Sequence, residues 1–482
     1  MVAQMVLRPE QCVVLGGKPC SACTEDIELE KELKELEIKI KNIYIRRRAI
    51  RTAMNENHDP LIHKFPPEIA SHIFMQYSPP DNFFNRPYGT SPLYLGAVCQ
   101  KWRQLAWATP QLWTSIGIHI ESHKGRRTQF VLEWLDRSAS LPLTIRFSDY
   151  RWHKEENDED PCDEVINVLN KHSARWHDMD LALPARLLER LSGSSQDNIL
   201  HRLVLRFFNS PTSRFSSFSM KSKPSPTDLT LLGVGLPYVD IVWSNLTTAS
   251  VDDIGVDECF ELIRRAPLLG NLKLRAINPS SDIFPIPTTR IVRPHLHSLE
   301  LLRISKKNVV TGILDSLCFP SLERWIHDES SIPLANMKSL IKYSSSSLKL
   351  FKIGIDYLHY SEVDRLLFHL PSLESLELRS SRKQPNSELI SSLCDSAQYL
   401  PHLQSLEFTC EYDFPWKSLP QIFALPCWQS LRVRVTPQFD FPVGDDLKLL
   451  LELRDKGFDF SVGKDGKDWL QEYIKHQRTR HL

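Results

Sequence analysis

The sequence predicts a long N-terminal helix, a small all-α block, and then an α/β solenoid built on one curved parallel sheet. Three observations predict it. Apolar residues recur at heptad spacing between positions 29 and 54, a proline-punctuated helical block follows, and an L-x-x-L-x-L pattern repeats along the rest of the chain. A unit of that last kind cannot bury its own apolar face, whereas stacking it on its neighbours does.

Composition narrows the function classes. The 482 residues carry 59 Lys+Arg against 59 Asp+Glu, a net charge of zero. A global basic field for nucleic acid or an anionic membrane is therefore absent. Proline at 32 against glycine at 17 points to many short elements with firm stops. The ten cysteines are spread thinly, unlike a disulfide framework, so thiols in the cytosol or nucleus are expected. Met1–Gly17 lacks the apolar run of a signal peptide, and Leu231–Val239, closed by Asp240, is too short to span a membrane.

Residues 1–25 have no periodicity and are expected to be disordered. Over 26–55, Leu29, Leu33, Leu36, Ile40, Ile43, Arg47, Ile50 and Met54 are spaced 4,3,4,3,4,3,4, a helical seam with one charged member. Such a helix needs a partner, either the next domain or a second copy in a homodimer. Arg46-Arg47-Arg48 reads as a solvated face of it. Asn55–Pro60 is expected to end the helix.

The block 58–120 follows. Pro66 and Pro67 suit a first helical turn. Ile69, Ile73 and Phe74 then form one apolar face, and 78–92, with four prolines and a glycine, reads as a loop. A single helix is expected from Leu93 to Trp107, with Leu95, Val98, Cys99, Trp102, Leu105 and Ala106 on one face. Thr109-Pro110 stops it. The segment 121–170 is a connection that begins the solenoid, with a helix near Thr128–Ser138, a strand at Leu143–Phe147 and a solvated acidic run at Glu155–Asp160.

The array is expected over 171–436. Its anchors are Trp176, Leu200, Leu229, Leu246, Leu269, Leu296, Leu322, Leu348, Leu373, Leu403 and Trp428, separated by 17 to 30 residues. A proline precedes several of them, as at Pro320, Pro371 and Pro401. Each unit reads as helix, proline stop and short strand. Residues 437–482 read as a cap, with a helix over 445–456, a glycine stop and a strand over 458–462.

The motif resembles leucine-rich repeats. One departure is that the family's Asn, eight residues after the anchor, is absent; Ile254, Ile277, Asp356 and Ser381 are among the residues in its place. The turns must then be satisfied in another way. In the preceding block, F-P-P-E-I-A-S-H-I-F (65–74), L-G-A-V-C-Q-K-W-R-Q-L-A (95–106) and T-P-Q-L-W (109–113) occur in order. Together they resemble the F-box, and the whole arrangement is similar to F-box-like families of mushroom-forming fungi. The stretch between Phe74 and Val98 is longer than in the common F-box, and Phe65 stands for the usual Leu.

F-box proteins are substrate receptors of cullin–RING ubiquitin ligases. The resemblance implies docking on the Skp adaptor, and through it on cullin, by Phe65, Pro66, Ile69, Ile73, Phe74, Leu95, Val98, Cys99 and Trp102. Some of these must be core, and Phe65, Pro66, Ile69 and Val98 are the preferred contacts. The repeats would hold a protein substrate. Strand residues alternate between faces, so the inner surface is mostly charged, with both signs. Lys273, Arg275, Lys352, Arg379, Arg432 and Arg434 are its preferred substrate contacts.

No catalytic residue, metal or cofactor is expected. Cys20-x-x-Cys23 is a lone half-site. His295, His297, His172 and His177 lack the spacing of a helical zinc motif, and no phosphate-binding or nucleophile motif occurs. The expected function is a non-catalytic ligase adaptor. The alternatives are a repeat scaffold without ligase function, a hydrolase, and a nucleic-acid binder using the inner arginines.

Overall fold

The structure, a computed structural model, describes residues 20–58, 60–77, 91–120, 127–149, 162–206, 217–303, 307–328, 334–344, 347–356, 359–381, 385–411, 413–438, 441–464 and 467–480. It comprises two compact units, Met1–Ser115 with Trp134–Leu141, and Ile116–Glu133 with Pro142–Leu482.

The first unit is helical: α1 (Ser21–His58), α2 (Pro60–Lys64), α3 (Pro67–Tyr77), α4 (Pro92–Val98) and α5 (Gln100–Trp107), then a 3-10 turn at Pro110–Trp113. α1 starts ahead of its expected position because the Cys20 carbonyl accepts both the N–H and the hydroxyl of Thr24. It also runs past Asn55 to His58, so the break is shorter than expected and α2 follows at once. Residues 1–19 and 78–90, which hold most of the expected disordered segment and loop, lie outside the described residues. The seam residues Leu29, Leu33, Leu36, Ile40, Ile43, Ile50 and Met54 are all exposed on the single chain.

The single helix expected over Leu93–Trp107 is two helices. Cys99 is fully extended (φ −156°, ψ 173°), and its Sγ accepts the N–H of Trp102 at 3.4 Å. The thiol therefore acts as an N-cap, a role usually taken by Ser or Asp. Ala70, Phe74, Leu95, Ala106, Leu112 and Trp113 form the interior. Gly96 is required there: a Cβ would lie 2.1 and 2.3 Å from the Trp107 ring. Gly96→Ala is expected to cost ~1–3 kcal/mol by overpacking, read as a lower urea midpoint for the helical unit.

The second unit carries the sheet. Its strands are β1 (Ser115–Ile120), β2 (Leu143–Asp149), β3 (Trp176–Ala182), β4 (Arg202–Arg206), β5 (Asp228–Leu232), β6 (Thr248–Gly255), β7 (Asn271–Asn278), β8 (Ile291–Val292), β9 (Ser298–Leu302), β10 (Leu317–Cys318), β11 (Arg324–Asp328), β12 (Leu350–Gly354), β13 (Ser375–Ser380), β14 (Ser405–Cys410), β15 (Arg432–Pro437), β16 (Phe460–Lys464) and β17 (Lys467–Asp468). Among the described residues, fifteen of them form one sheet in chain order, and β8 with β10 form a separate pair. From β2 to β16 the neighbours are parallel, and β17 turns back antiparallel on β16. Helices such as Val256–Arg265, Tyr360–Leu367 and Ser387–Ser396 connect the strands. This is an α/β solenoid-like architecture. The sheet begins earlier than expected, since β1 lies in the stretch assigned to the helical block; β2 falls on the strand expected in the connection.

Register explains the core. Met179, Leu203, Leu229, Ala249, Leu272, Leu299, Trp325, Phe351, Leu376, Leu406, Val433 and Phe460 stand opposite one another in successive strands. All twelve are buried. Nine lie three residues after an expected anchor; Phe460, in the expected cap, has no anchor, and two others do not fit. Leu229 is itself in this row, so the true anchor of its unit is Pro226. Val433 likewise makes Ser430 the last anchor. Trp428 matches the apolar pattern because it is large and buried, but it sits in a 3-10 turn, Pro426–Trp428. As a result Gly233 and Gly235, which an anchor at Leu229 would set four and six places on at the inner surface, lie beyond β5. Arg432 and Arg434 slip by two places and keep their face.

Backbone bonds join the units where each strand begins, at the opposite end from the missing Asn. The carbonyls of His201, Thr227, Thr247, Gly270, His297, Glu323, Lys349 and Glu374 each accept two successive N–H groups from the next unit. At two turns a carboxylate serves. Asp356, in the family's Asn position, accepts the Ser381 N–H at 2.9 Å. Asp257, fully buried, accepts the N–H groups of Ser281, Ile283 and Phe284 and the Ser281 hydroxyl at 2.9–3.1 Å. Burial works to raise its pKa, but these bonds outweigh it and hold the carboxyl below its ordinary value.

Among the described residues no helix is long and apolar enough to cross a membrane, and no disulfide forms.

Candidate functional site

Two surfaces carry the expected contacts, one in each unit. In the helical unit the nine residues of the F-box-like motif divide by exposure. Phe65, Pro66, Ile69, Ile73 and Val98 are exposed, the four large apolar side chains by 39–49%. Phe74 and Leu95 are interior, because α3 and α4 turn those positions inward, and they cannot reach a partner without unfolding. Trp102 is half-buried with its ring 4.8 Å from that of Phe74, and the Cys99 sulfur is engaged as a cap. The Thr109 hydroxyl bonds to Ser71 Oγ at 3.0 Å and Leu105 O at 2.7 Å, fastening the exit turn to α3 and α5.

Beside Val98 and Cys99 lies a cleft of about 690 Å³. Tyr44, Arg47, Arg48 and Arg51 of α1 line one side, and Gln100, Lys101 and Arg103 of α5 the other. The arginine run, read from sequence as a solvated face, thus flanks part of the apolar set.

In the second unit the six basic residues expected to meet substrate lie in or beside the strands, and each is paired. Lys273 bonds Glu300 at 2.9 Å, and Arg324 joins the same carboxylate at 2.5 Å. Lys352 pairs with Glu377, Arg275 with Asp252 at 3.8 Å, Arg379 with Glu411 at 3.9 Å, Arg432 with Asp459 at 3.1 Å and Arg434 with Glu407 at 3.8 Å. Burial alone would raise Glu300, but its two cations set it below the ordinary carboxylate range. Further along, Asp180 is buried and receives Arg206 through two 2.8 Å bonds, with Arg146 at 3.7 Å. The surface is therefore a lattice of mutually satisfied charges and not a row of free cations. Exposed pairs of this kind add ~0–1 kcal/mol each to stability, and they are open to exchange with a partner's charges. The acidic members do not stand out in the sequence because each lies 23–34 residues from its cation; only the strand register joins them.

Sequence reasoning also missed His201. His177 and His201 occupy the same place in consecutive units, one residue after Trp176 and Leu200. Their rings stack in parallel with centroids 5.1 Å apart. Asp178 Oδ1 lies 3.2 Å from His177 Nδ1 and 4.0 Å from His201 Nδ1. Asp228 stands near; burial raises its carboxyl, while Arg202 and His201 work to lower it.

No protein-family model matches the chain, and comparison with curated proteins gives no match. Among solved structures, one similar chain is a crystal structure of a Bacteroides fragilis protein, at 14% identity and TM-score 0.30. The match covers 64% of this chain and 68% of that one. A likeness this slight bears on neither fold nor function.

Proposed function

We propose that this protein is a non-catalytic substrate adaptor of a cullin–RING ubiquitin ligase. In this reading the block 58–120 docks on the Skp adaptor as an F-box does, and the charged face of the sheet holds a protein substrate, in the cytosol or nucleus. Tethering raises the effective concentration of the substrate beside the activated ubiquitin, so no residue of this chain needs to do chemistry. The observation that supports it most is the division of the motif: Phe65, Ile69, Ile73 and Val98 stay exposed while Phe74 and Leu95 fill the interior. Solvated apolar side chains of that size gain ~1.5–3 kcal/mol each when a partner fully covers them.

A second reading, a repeat scaffold without ligase function, is favoured by one feature. The α1 arginines stand beside Val98 across the cleft, where a docking partner would meet them. A pull-down of the full chain with purified Skp adaptor and cullin separates the two. Wild type is expected to bind, and Phe65→Ala/Pro66→Ala to bind at least ~30-fold more weakly while keeping its helical signal, since both residues are exposed. Failure of folded wild type to bind would leave the scaffold.

A further inference from the structure

We propose that His177, Asp178 and His201 form a binding site for a divalent transition metal ion of the zinc class. Three features carry this.

The first is ligand type. Two imidazoles and one carboxylate suit zinc and its neighbours in the transition series, whereas magnesium and calcium prefer all-oxygen shells.

The second is placement. Successive strand residues normally point to opposite faces. At β3 they do not, because the pairing with β2 shifts: Leu143 stands opposite Trp176, and Thr144 opposite Asp178. His177 is the extra residue of a bulge, a device that re-aims a side chain. Trp176 and Met179 are buried, while His177 and Asp178 are both half-exposed beside one another. The next unit brings His201 alongside, fixed by the bond from its own N–H to the His177 carbonyl at 2.8 Å.

The third is spacing. One donor atom from each of the three residues lies within 4.8 Å of the others. A tetrahedral ion with bonds of ~2.0–2.1 Å needs donors ~3.3 Å apart. The Asp178–His177 edge already measures 3.2 Å and the Asp178–His201 edge 4.0 Å; the two imidazoles, stacked in parallel here, must tilt towards each other for both in-plane lone pairs to meet one ion. Both rings are partly open to solvent, which leaves room for water or an external donor at the fourth position. The charges around it fit. Asp178 Oδ2 accepts the Thr144 hydroxyl at 3.4 Å, which orients the carboxylate. Arg202 pairs with Asp228 at 3.6 Å.

The site is independent of ligase docking. The test uses the full chain, stripped of metal, titrated with zinc by calorimetry and with cobalt(II) by visible absorption. Wild type is expected to bind one ion at micromolar or tighter affinity that millimolar magnesium does not displace, with cobalt bands of a four- or five-coordinate site. His177→Ala/His201→Ala should lower the stoichiometry by one. Asp178→Asn, which preserves size and the Thr144 partner, should weaken binding at least tenfold and serves as the check if the histidine variant folds poorly. X-ray absorption of the zinc-loaded chain should give two imidazoles. No binding by wild type, or equal stoichiometry and affinity in all three proteins, overturns the proposal.

Discussion

Trp113→Ala is expected to unfold the helical unit while the sheet stands. Trp113 is fully buried, and its indole N–H donates to the Ala106 carbonyl at 2.8 Å. Its ring meets those of Trp107 and Trp134 edge-on at 5.0 and 4.8 Å. The Arg137 guanidinium lies 4.8 Å from its centroid and 4.7 Å from that of Trp107. Truncation removes the centre of this stack and leaves a cavity, a loss of ~3–5 kcal/mol. A small domain holds only ~5–15 kcal/mol in all. Hydrogen exchange read by mass spectrometry should therefore speed up sharply in peptides of α3 and α5. Peptides of β13 and β14 should be unchanged, and Trp113→Phe should recover part of the protection. Equal exchange in wild type and Trp113→Ala would show that the ring stack does not hold the unit together.

Asp257→Asn carries the second large effect, this time in the sheet unit. The wild-type carboxylate accepts three N–H groups and a hydroxyl from the loop after β7. An amide can turn only one oxygen to them and sets a donor against the rest. The expected loss at pH 7 is ~2–4 kcal/mol. Its pH dependence is signed. The folded carboxyl titrates below its ordinary value, so its contribution is complete above the unfolded pKa, about 3.9. It is lost as pH falls through the folded value. The gap in urea midpoint between wild type and Asp257→Asn should thus be constant from pH 7 to about 5 and close toward pH 2. A gap that stays constant down to pH 2 would mean the charge of Asp257 is not what supports the loop.

The repeat frame was legible because its signal is apolar and periodic. A leucine every third or second place in a short strand is hard to bury except by stacking one unit on the next, and the units from Leu246 to Leu403 stack in the register read from sequence. The errors came where a residue satisfied the pattern for a different reason. Trp428 is buried from a turn, and Leu229 belongs to the core row and not to the anchor row. The break at Cys99 was hidden because cysteine seldom caps a helix. In the F-box-like block the motif residues could be found but not divided into inner and outer, since helical spacing alone puts Phe74 and Ile73 side by side. The charge pairs were invisible for a simpler reason. Lys273 and Glu300, or Lys352 and Glu377, are remote in sequence, and nothing but strand register says which residues meet. His177 and His201 were within reach, because they repeat at the same offset from Trp176 and Leu200. They lie on strand-bearing units and so lack the helical spacing by which a histidine pair usually shows itself, and the bulge that brings Asp178 to their side has no mark in the residue string.

The paired N–H groups handed from each unit to a single carbonyl of the one before have a consequence for change over generations. That join is made of main chain alone, so it asks little of the side chains around it: proline is barred from the donating places, and almost anything else is admitted. Loops between units can lengthen or shorten without disturbing it, as the spread from 20 to 30 residues between the corrected anchors already illustrates. The outward residues of each strand are thereby freed from upholding the scaffold. A gene built this way can rewrite the whole displayed text, letter by letter or by copying units, while the page it is written on stays the same.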